Sequence, residues 1–352
     1  MKRTNYLLLL FVLLLAVVMI CTACSAEESA PEDEPASDTD QTEETASYID
    51  TDTNYQLSWG TASTTGSVYP MGAALAAMVS KYYPNINISV EATGGSVENA
   101  RLIYSGDVEI GVLQGTTAYQ AYTGTTNYDC YQDVLALMQS NSTVVQILVR
   151  EDSGIETFAD LAGKKVGVGP AGSGTEQSVS EIFPLLGLTY DDFDEQFLSF
   201  TEAAQAMQDG DIVAAVFGST PPTPAVMDLR TNTKVRPLSF TEEDVEKIIA
   251  TYPYFYPYTI EPGTYDGQEE AITTVCDRTI FAVNKDMPDS LAYMLLDAWI
   301  NNPDEANEVQ GVVDFSDVNA RAQVGIPMHP GAKAWFDEHG ITYPTEFDFD
   351  IY

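Results

Sequence analysis

Two short runs of glycine and hydroxyl-bearing residues carry the most legible chemistry in this sequence: GTASTTG at 60–66 and PAGSGT at 170–175. Each follows a strand-like apolar segment and precedes a helix-like one, so each should end a strand and open a helix. The free amides of a first helical turn point at whatever lies above the sheet, and the helix dipole favours an anion there. Glycine lets a ligand approach the backbone, and serine and threonine add donors. Ser63, Thr64, Thr65, Gly66 and Tyr69 around the first run, with Ser173, Gly174 and Thr175 in the second, are therefore candidate anion-binding residues. An ordinary strand–helix turn favours the same residue types. Two such loops, one from each half of the chain, favour binding.

Catalytic chemistry is poorly represented. The two histidines, His329 and His339, both stand next to turn residues, and no histidine–cysteine cluster has zinc spacing. The sequence has no GxxxxGK[ST] phosphate loop and no GxSxG elbow. The expectation is a binding protein, not an enzyme, with no cofactor and no metal. With 53 acids against 15 bases the formal charge is −38. That excludes nucleic acid, whose binding needs a basic face, and docking on anionic lipid headgroups. Arg101, Arg150 and Arg278 are local cations that could help an organic anion approach, but surface or hinge ion pairing suits each better. The tyrosine- and proline-rich run at 252–258 could wall a pocket but reads better as a packed loop or a protein contact.

The elements that must position the two loops alternate. Tyr55 to Trp59 reads as a strand, Pro70 to Tyr82 as a helix with proline at its first position, and Ile86 to Ala92 as a strand. Ser96 caps the next helix, and Val108 to Leu113 is a buried strand. Lys165 to Gly169 repeats the strand before the second loop. Ser173 with Glu176, and Ser199 with Glu202, are capping-box pairs. The segment starting at Gly106 (GDVEIGVLQGTT) aligns without gaps to the one starting at Gly210 (GDIVAAVFGSTP), each a Gly-Asp turn into a buried strand. Val144 to Arg150 and Thr273 to Asn284 are long strands suited to carry the chain from one lobe to the other and back. The expected architecture is α/β, with two lobes joined by two crossing strands around a cleft. Lobe 1 comprises 55–147 and 285–352, and lobe 2 comprises 148–284.

Ahead of the lobes, residues 1–23 form a lipoprotein signal peptide. Lys2 and Arg3 precede an apolar run from Tyr6 to Ile20, and small residues lead to Cys24, the expected lipid attachment site. Residues 24–54 are an acidic, low-complexity tether without lysine or arginine. The protein is thus expected outside the cytoplasm, held to the membrane by lipid. Cys130 and Cys276 remain in the folded part. Two readings fit them: a disulfide in an oxidising compartment, or two small buried hydrophobes.

Six segments taken together resemble one known family: TASTTGSVYPMG at 61–72, EATGGSVEN at 91–99, Ser153-Gly154-Ile155 with DLAGKK at 160–165, GPAGSGT at 169–175, PGTYDGQ at 262–268 and MHPGA at 328–332. In this order they are similar to the TAXI-type solute receptors of tripartite ATP-independent periplasmic (TRAP) transporters. The resemblance implies a type II periplasmic-binding-protein fold. It implies a monomeric receptor that passes a glutamate- or glutamine-like solute, or another small carboxylate, to an integral membrane permease. A ligand sensor for a membrane signalling partner is the alternative. The family's binding segments fall on Ser63 to Tyr69, Thr93 and Gly94, Gln114, and Ser173 to Thr175. Gly115 and Thr116 depart from the Gln-Ser-Asp of many relatives, which leaves the solute open.

Overall fold

A computed structural model describes residues 48–125, 131–308 and 315–343. The chain opens with strand β1 (Tyr55–Gly60), helix α1 (Val68–Tyr82), β2 (Ile86–Glu91), α2 (Ser96–Ser105), β3 (Ile110–Gln114) and α3 (Gly115–Thr123). The long strand β4 (Val134–Arg150) follows. Next come β5 (Lys165–Gly167), α4 (Gly174–Leu185), β6 (Asp194–Gln196), α5 (Phe200–Asp209), β7 (Ala214–Gly218) and α6 (Pro224–Asn232). After β8 (Val235–Pro237), α7 (Glu242–Thr251) and β9 (Phe255–Ile260), the second long strand β10 (Ile272–Asn284) runs back. Helices α8 (Asp289–Ile300), α9 (Pro303–Glu308), α10 (Val318–Arg321) and α11 (Pro330–Glu338) complete the described chain.

The strands lie in the order β2-β1-β3-β10-β4-β7-β5-β6, with β8 on β4 and β9 on β10. β1 is parallel to both β2 and β3, and β5 is parallel to both β6 and β7, as strand–helix–strand units require. β4 and β10 are antiparallel to the rest and change partners along their length. β10 pairs with β9 from Ile272 to Asp277 and with β3 from Thr279 to Val283. β4 pairs with β10 as far as Val144 and with β7 from Val145 to Val149.

The buried side chains divide along the same line. One core gathers Trp59, Leu75, Ile110, Phe281, Trp299 and Trp335. A second, around Phe183, Val216 and Ile248, and a third, around Phe200, Phe217 and Leu229, cover the two faces of the other half. The result is two α/β lobes joined by two crossing strands, as the alternation predicts.

The internal repeat is real in the backbone. Gly106 (φ +76°) and Gly210 (φ +82°) both end a helix in the left-handed conformation, where an L side chain is strained. β3 and β7 each begin four residues later. Pro70 is the third residue of α1 and not the first, because the helix starts at Val68 behind Ser67. Ser199 and Glu202 form a complete capping box. Ser173 accepts from the Glu176 amide, but the Glu176 carboxylate takes the Tyr190 hydroxyl at 3.1 Å, so that box is half made. No helix among the described residues is long and apolar enough to cross a membrane. The signal segment, the tether as far as residue 47, Cys24 and Cys130 lie outside the described residues, whereas the tether's last stretch, 48–54, lies on the first lobe, with Tyr48 stacked on Tyr293 and the Asp50 carbonyl accepting from Asn85. Cys276 is buried on β10, and burial pushes its thiol up to about 12.

Candidate functional site

Between the lobes, above the carboxyl ends of β1, β3, β5 and β7, lies a cavity of about 60 Å³. Lobe 1 lines it with Thr61, Ser63, Gly66 and Ser67 after β1, Gly94 to Ser96 after β2, and Val112 and Gln114 on β3. Lobe 2 contributes Ser173 to Thr175 after β5, Phe200 at the start of α5, and Gly218 and Ser219 at the end of β7. Thr143 and Thr279 come from the crossing strands and join their hydroxyls at 2.7 Å.

The N-caps of four helices line this one space: Ser67 of α1, Gly95 of α2, Gln114 of α3 and Ser173 of α4. Four dipole ends of the same sign therefore face the same small volume, which favours negative charge. α1 and α2 have no side-chain cap on their first-turn amides, but just ahead of them the Glu98 carboxylate accepts from the Gly94 amide at 2.6 Å and Ser219 Oγ accepts from the Ser67 amide at 3.2 Å. The α3 terminus is already used. Asp277 of β10 accepts from the Thr116 amide at 2.8 Å and the Thr116 hydroxyl at 2.7 Å. Asp277 is fully buried, and burial outweighs those bonds, raising its carboxyl to about 7. None of the cavity-lining residues is charged.

The lobes meet on both sides of the cavity. Ser67 Oγ and Ser219 Oγ are 3.0 Å apart, and the Ser67 amide also reaches Ser219. Thr65 bonds Thr201 at 2.9 Å, and its carbonyl accepts from the Ala225 amide. Glycine makes the closest approach possible. A Cβ on Gly174 would fall inside the Gln114 side-chain amide of the other lobe and 2.9 Å from Ser96 Oγ. Gln114 is 5% exposed, and its Oε1 has no hydrogen-bond partner.

Of the residues singled out in the sequence, Ser63, Gly66, Gly94, Gln114, Ser173, Gly174 and Thr175 come together on the cavity wall. Thr64 is exposed and Tyr69 half-buried, both off the wall. Thr65 joins the lobe contact just described. Thr93 lies behind the wall, where its hydroxyl faces the Thr61 carbonyl and Asn99 Oδ1 and accepts from the Gly95 amide. Ser96, expected as a cap, is instead the first residue of α2 behind Gly95 and accepts from the Gln114 amide at 3.1 Å, while Thr61, Thr143, Phe200, Ser219 and Thr279 were not singled out. The internal repeat carried a signal for one of them, since it aligns Ser219 with the residue after Gln114. Arg150 binds Asp152 at 2.8 Å, away from the cavity. Arg278 is buried on β10 with its guanidinium over the Tyr256 ring. His329 is buried as the cap of α11, accepting from the Gly331 amide.

Strand order, crossing strands and an interlobe cavity above the strand ends define the type II periplasmic-binding-protein fold, in which a solute sits between two lobes. The model of the NMT1-like family matches residues 59–340, and the chain belongs to that family. Among solved structures, it is similar to the binding-protein component of an ABC phosphonate transporter from Pseudomonas aeruginosa, at 12% identity and TM-score 0.50 over 74% of this chain and 80% of the other. A protein of Bordetella bronchiseptica RB50 matches at 15% identity and TM-score 0.50, over 83% and 84%. The alkanesulfonate-binding protein of Xanthomonas axonopodis pv. citri, bound to MOPS, matches at 14% identity and TM-score 0.45, over 82% and 84%.

Proposed function

We propose that this protein is an extracytoplasmic solute receptor, lipid-anchored through Cys24, that closes its lobes on a small carboxylate and presents it to a TRAP permease. The observation that carries this reading is the convergence of the N-termini of α1, α2 and α4 and a ring of hydroxyls on one uncharged interlobe cavity, the α3 terminus being taken by Asp277. Such a site can hold an anion without a cation. Ser63, Gly66, Gly94, Gln114, Ser173, Gly174 and Thr175 would touch the solute, with Thr64, Thr65, Tyr69 and Thr93 supporting the loops. Lobe 1 would move as 55–147 with 285–352 and lobe 2 as 148–284, about the crossing strands. The TAXI-like segments favour a TRAP permease over an ABC partner, and the N-terminal sequence favours the lipid anchor.

Mass spectrometry of small molecules released from the gently purified protein should reveal an organic or amino acid. Adding it back at 100 times its dissociation constant should stabilise the fold by about 2.7 kcal/mol. If no carboxylate in a broad panel raises the melting temperature, the receptor reading fails. Co-purification with a permease of many spans, and lipid on Cys24 that disappears in Cys24→Ser, test the partner and the anchor.

A further inference from the structure

A second contact between the lobes runs along the helices behind the cavity. α3 of lobe 1 and α4 of lobe 2 lie side by side and exchange a directional chain of hydrogen bonds. The Thr117 hydroxyl donates to Gln177 Oε1 at 2.6 Å, and Gln177 Nε2 donates to Gln120 Oε1 at 2.6 Å. Gln120 Nε2 then donates to Glu181 Oε1 at 2.5 Å. Positions 117 and 120 share one helical face, as do 177 and 181, so the four side chains form one seam. Tyr119 of α3 also packs on the lobe 2 core and against Tyr254.

The seam ends on a carboxylate. Glu181 Oε2 is buried, and beyond Gln120 the donor near this carboxylate is the neutral Tyr254 hydroxyl. The groups that face it are Gln120 of α3, Tyr254 ahead of β9, Tyr252 nearby, Asp277 of β10, and Glu176 one turn earlier in its own helix. None is a cation. Lys247 of α7 is turned instead to the Leu185 carbonyl. An ionised Glu181 in the closed seam is therefore out of water, beside other acids, with neutral donors only. Separating α3 from α4 removes Gln120 and admits water.

We propose that Glu181 is a proton-binding site that couples lobe closure to pH: closing the seam takes up a proton there, and losing it opens the seam. Burial raises this carboxyl to about 7 in the closed form, whereas an opened, hydrated glutamate titrates near its ordinary value. The raised value belongs to the closed state, so closure is favoured at low pH and lost as pH rises through about 7. Between pH 6 and pH 8 the ratio of closed to open should fall roughly tenfold.

Two amides report the opening directly, because both are donated across the lobes: Ser67 to Ser219 and Ala225 to Thr65. Their hydrogen-exchange protection, corrected for the intrinsic pH dependence of exchange, should fall roughly tenfold from pH 6 to pH 8 in the wild type. It should stay level in Glu181→Gln, which keeps the seam's shape and can still accept from Gln120. Asp277→Asn serves as the second variant and should retain the fall. Protection that is level in the wild type overturns the proposal. So does a fall that survives in Glu181→Gln, whether or not Asp277→Asn removes it. The measurement uses no solute, so it stands or falls apart from the receptor reading.

Discussion

Gly174→Ala should separate closure from folding. Gly174 opens α4 in an ordinary helical conformation, so alanine is compatible with the backbone and the open form keeps its stability, gaining up to about 1 kcal/mol. In the closed form the added methyl would occupy the Gln114 side-chain amide and crowd Ser96 Oγ at 2.9 Å. Gln114 is 95% buried and has little room to turn. If it does turn, it leaves the cavity wall. Overpacking by one methyl costs about 1–3 kcal/mol, and here the cost falls on the closed state alone. Solute affinity should therefore drop roughly 5- to 150-fold while the melting temperature without solute stays level or rises. Titration calorimetry with the solute recovered from the wild type measures the first, and thermal unfolding the second. Exchange at the Ser67 and Ala225 amides should quicken in the same variant. Wild-type affinity together with wild-type exchange would refute the reasoning, since it would mean the lobes close without Gly174 meeting Gln114.

Thr175→Val keeps the shape and deletes one donor on the cavity wall, so affinity should fall about tenfold by calorimetry with little change in stability. Ser63→Ala should do the same from the opposite lobe. Asn99 is fully buried, and its Nδ2 bonds the carbonyls of Thr61 at 2.7 Å and Val112 at 2.9 Å. Asn99→Ala should cost about 2–4 kcal/mol in denaturant unfolding by stranding both, and a loss below about 1 kcal/mol would contradict this role. Asp277 and Glu181 are both raised to about 7 by burial, so their contribution to the fold is full at low pH and lost as pH rises through that value. The melting temperature should thus fall from pH 6 to pH 8 and flatten in the Glu181→Gln/Asp277→Asn double variant.

Where local chemistry decides a structure, the sequence was informative. The two glycine-rich loops, the helices they open and the repeat at Gly106 and Gly210 all follow from hydrophobic periodicity and the left-handed turns that only glycine enters easily. β4 shows where this stops. The apolar pattern placed its start at Val144, but it begins at Val134. Gln139, Ser140 and Asn141 interrupt the pattern and are nonetheless buried. Some of their polar groups are met from distant segments: Arg321 donates to the Gln139 carbonyl at 3.2 Å, and Asn141 bonds Thr220. A buried polar strand is stable only once those partners have folded around it, and no local window contains them. The same holds for Thr143 and Thr279, which meet on the cavity floor because β4 and β10 pair. In α3 and α4 the spacing of Thr117, Gln120, Gln177 and Glu181 was visible, but not that the two faces oppose one another.

Asp277 shows what an anion meets in this protein. It has a helix N-terminus, a backbone donor at 2.8 Å and a hydroxyl at 2.7 Å, yet burial still lifts its carboxyl to about 7. One helix end, the two Thr116 donors and the neighbouring Arg278, with its amide and its charge, do not together offset the loss of water. A solute carboxylate shut between the lobes would face the same penalty under a protein of formal charge −38. Each added bond to a charged group supplies about 1.5–3 kcal/mol, so the site needs more donors than one loop can present. α1 and α2 in one lobe and α4 in the other supply them only when the cleft is shut. In the open form each set is wet and weakly held, and the anion therefore favours closure by differential contact, the only means by which a ligand can shift that equilibrium.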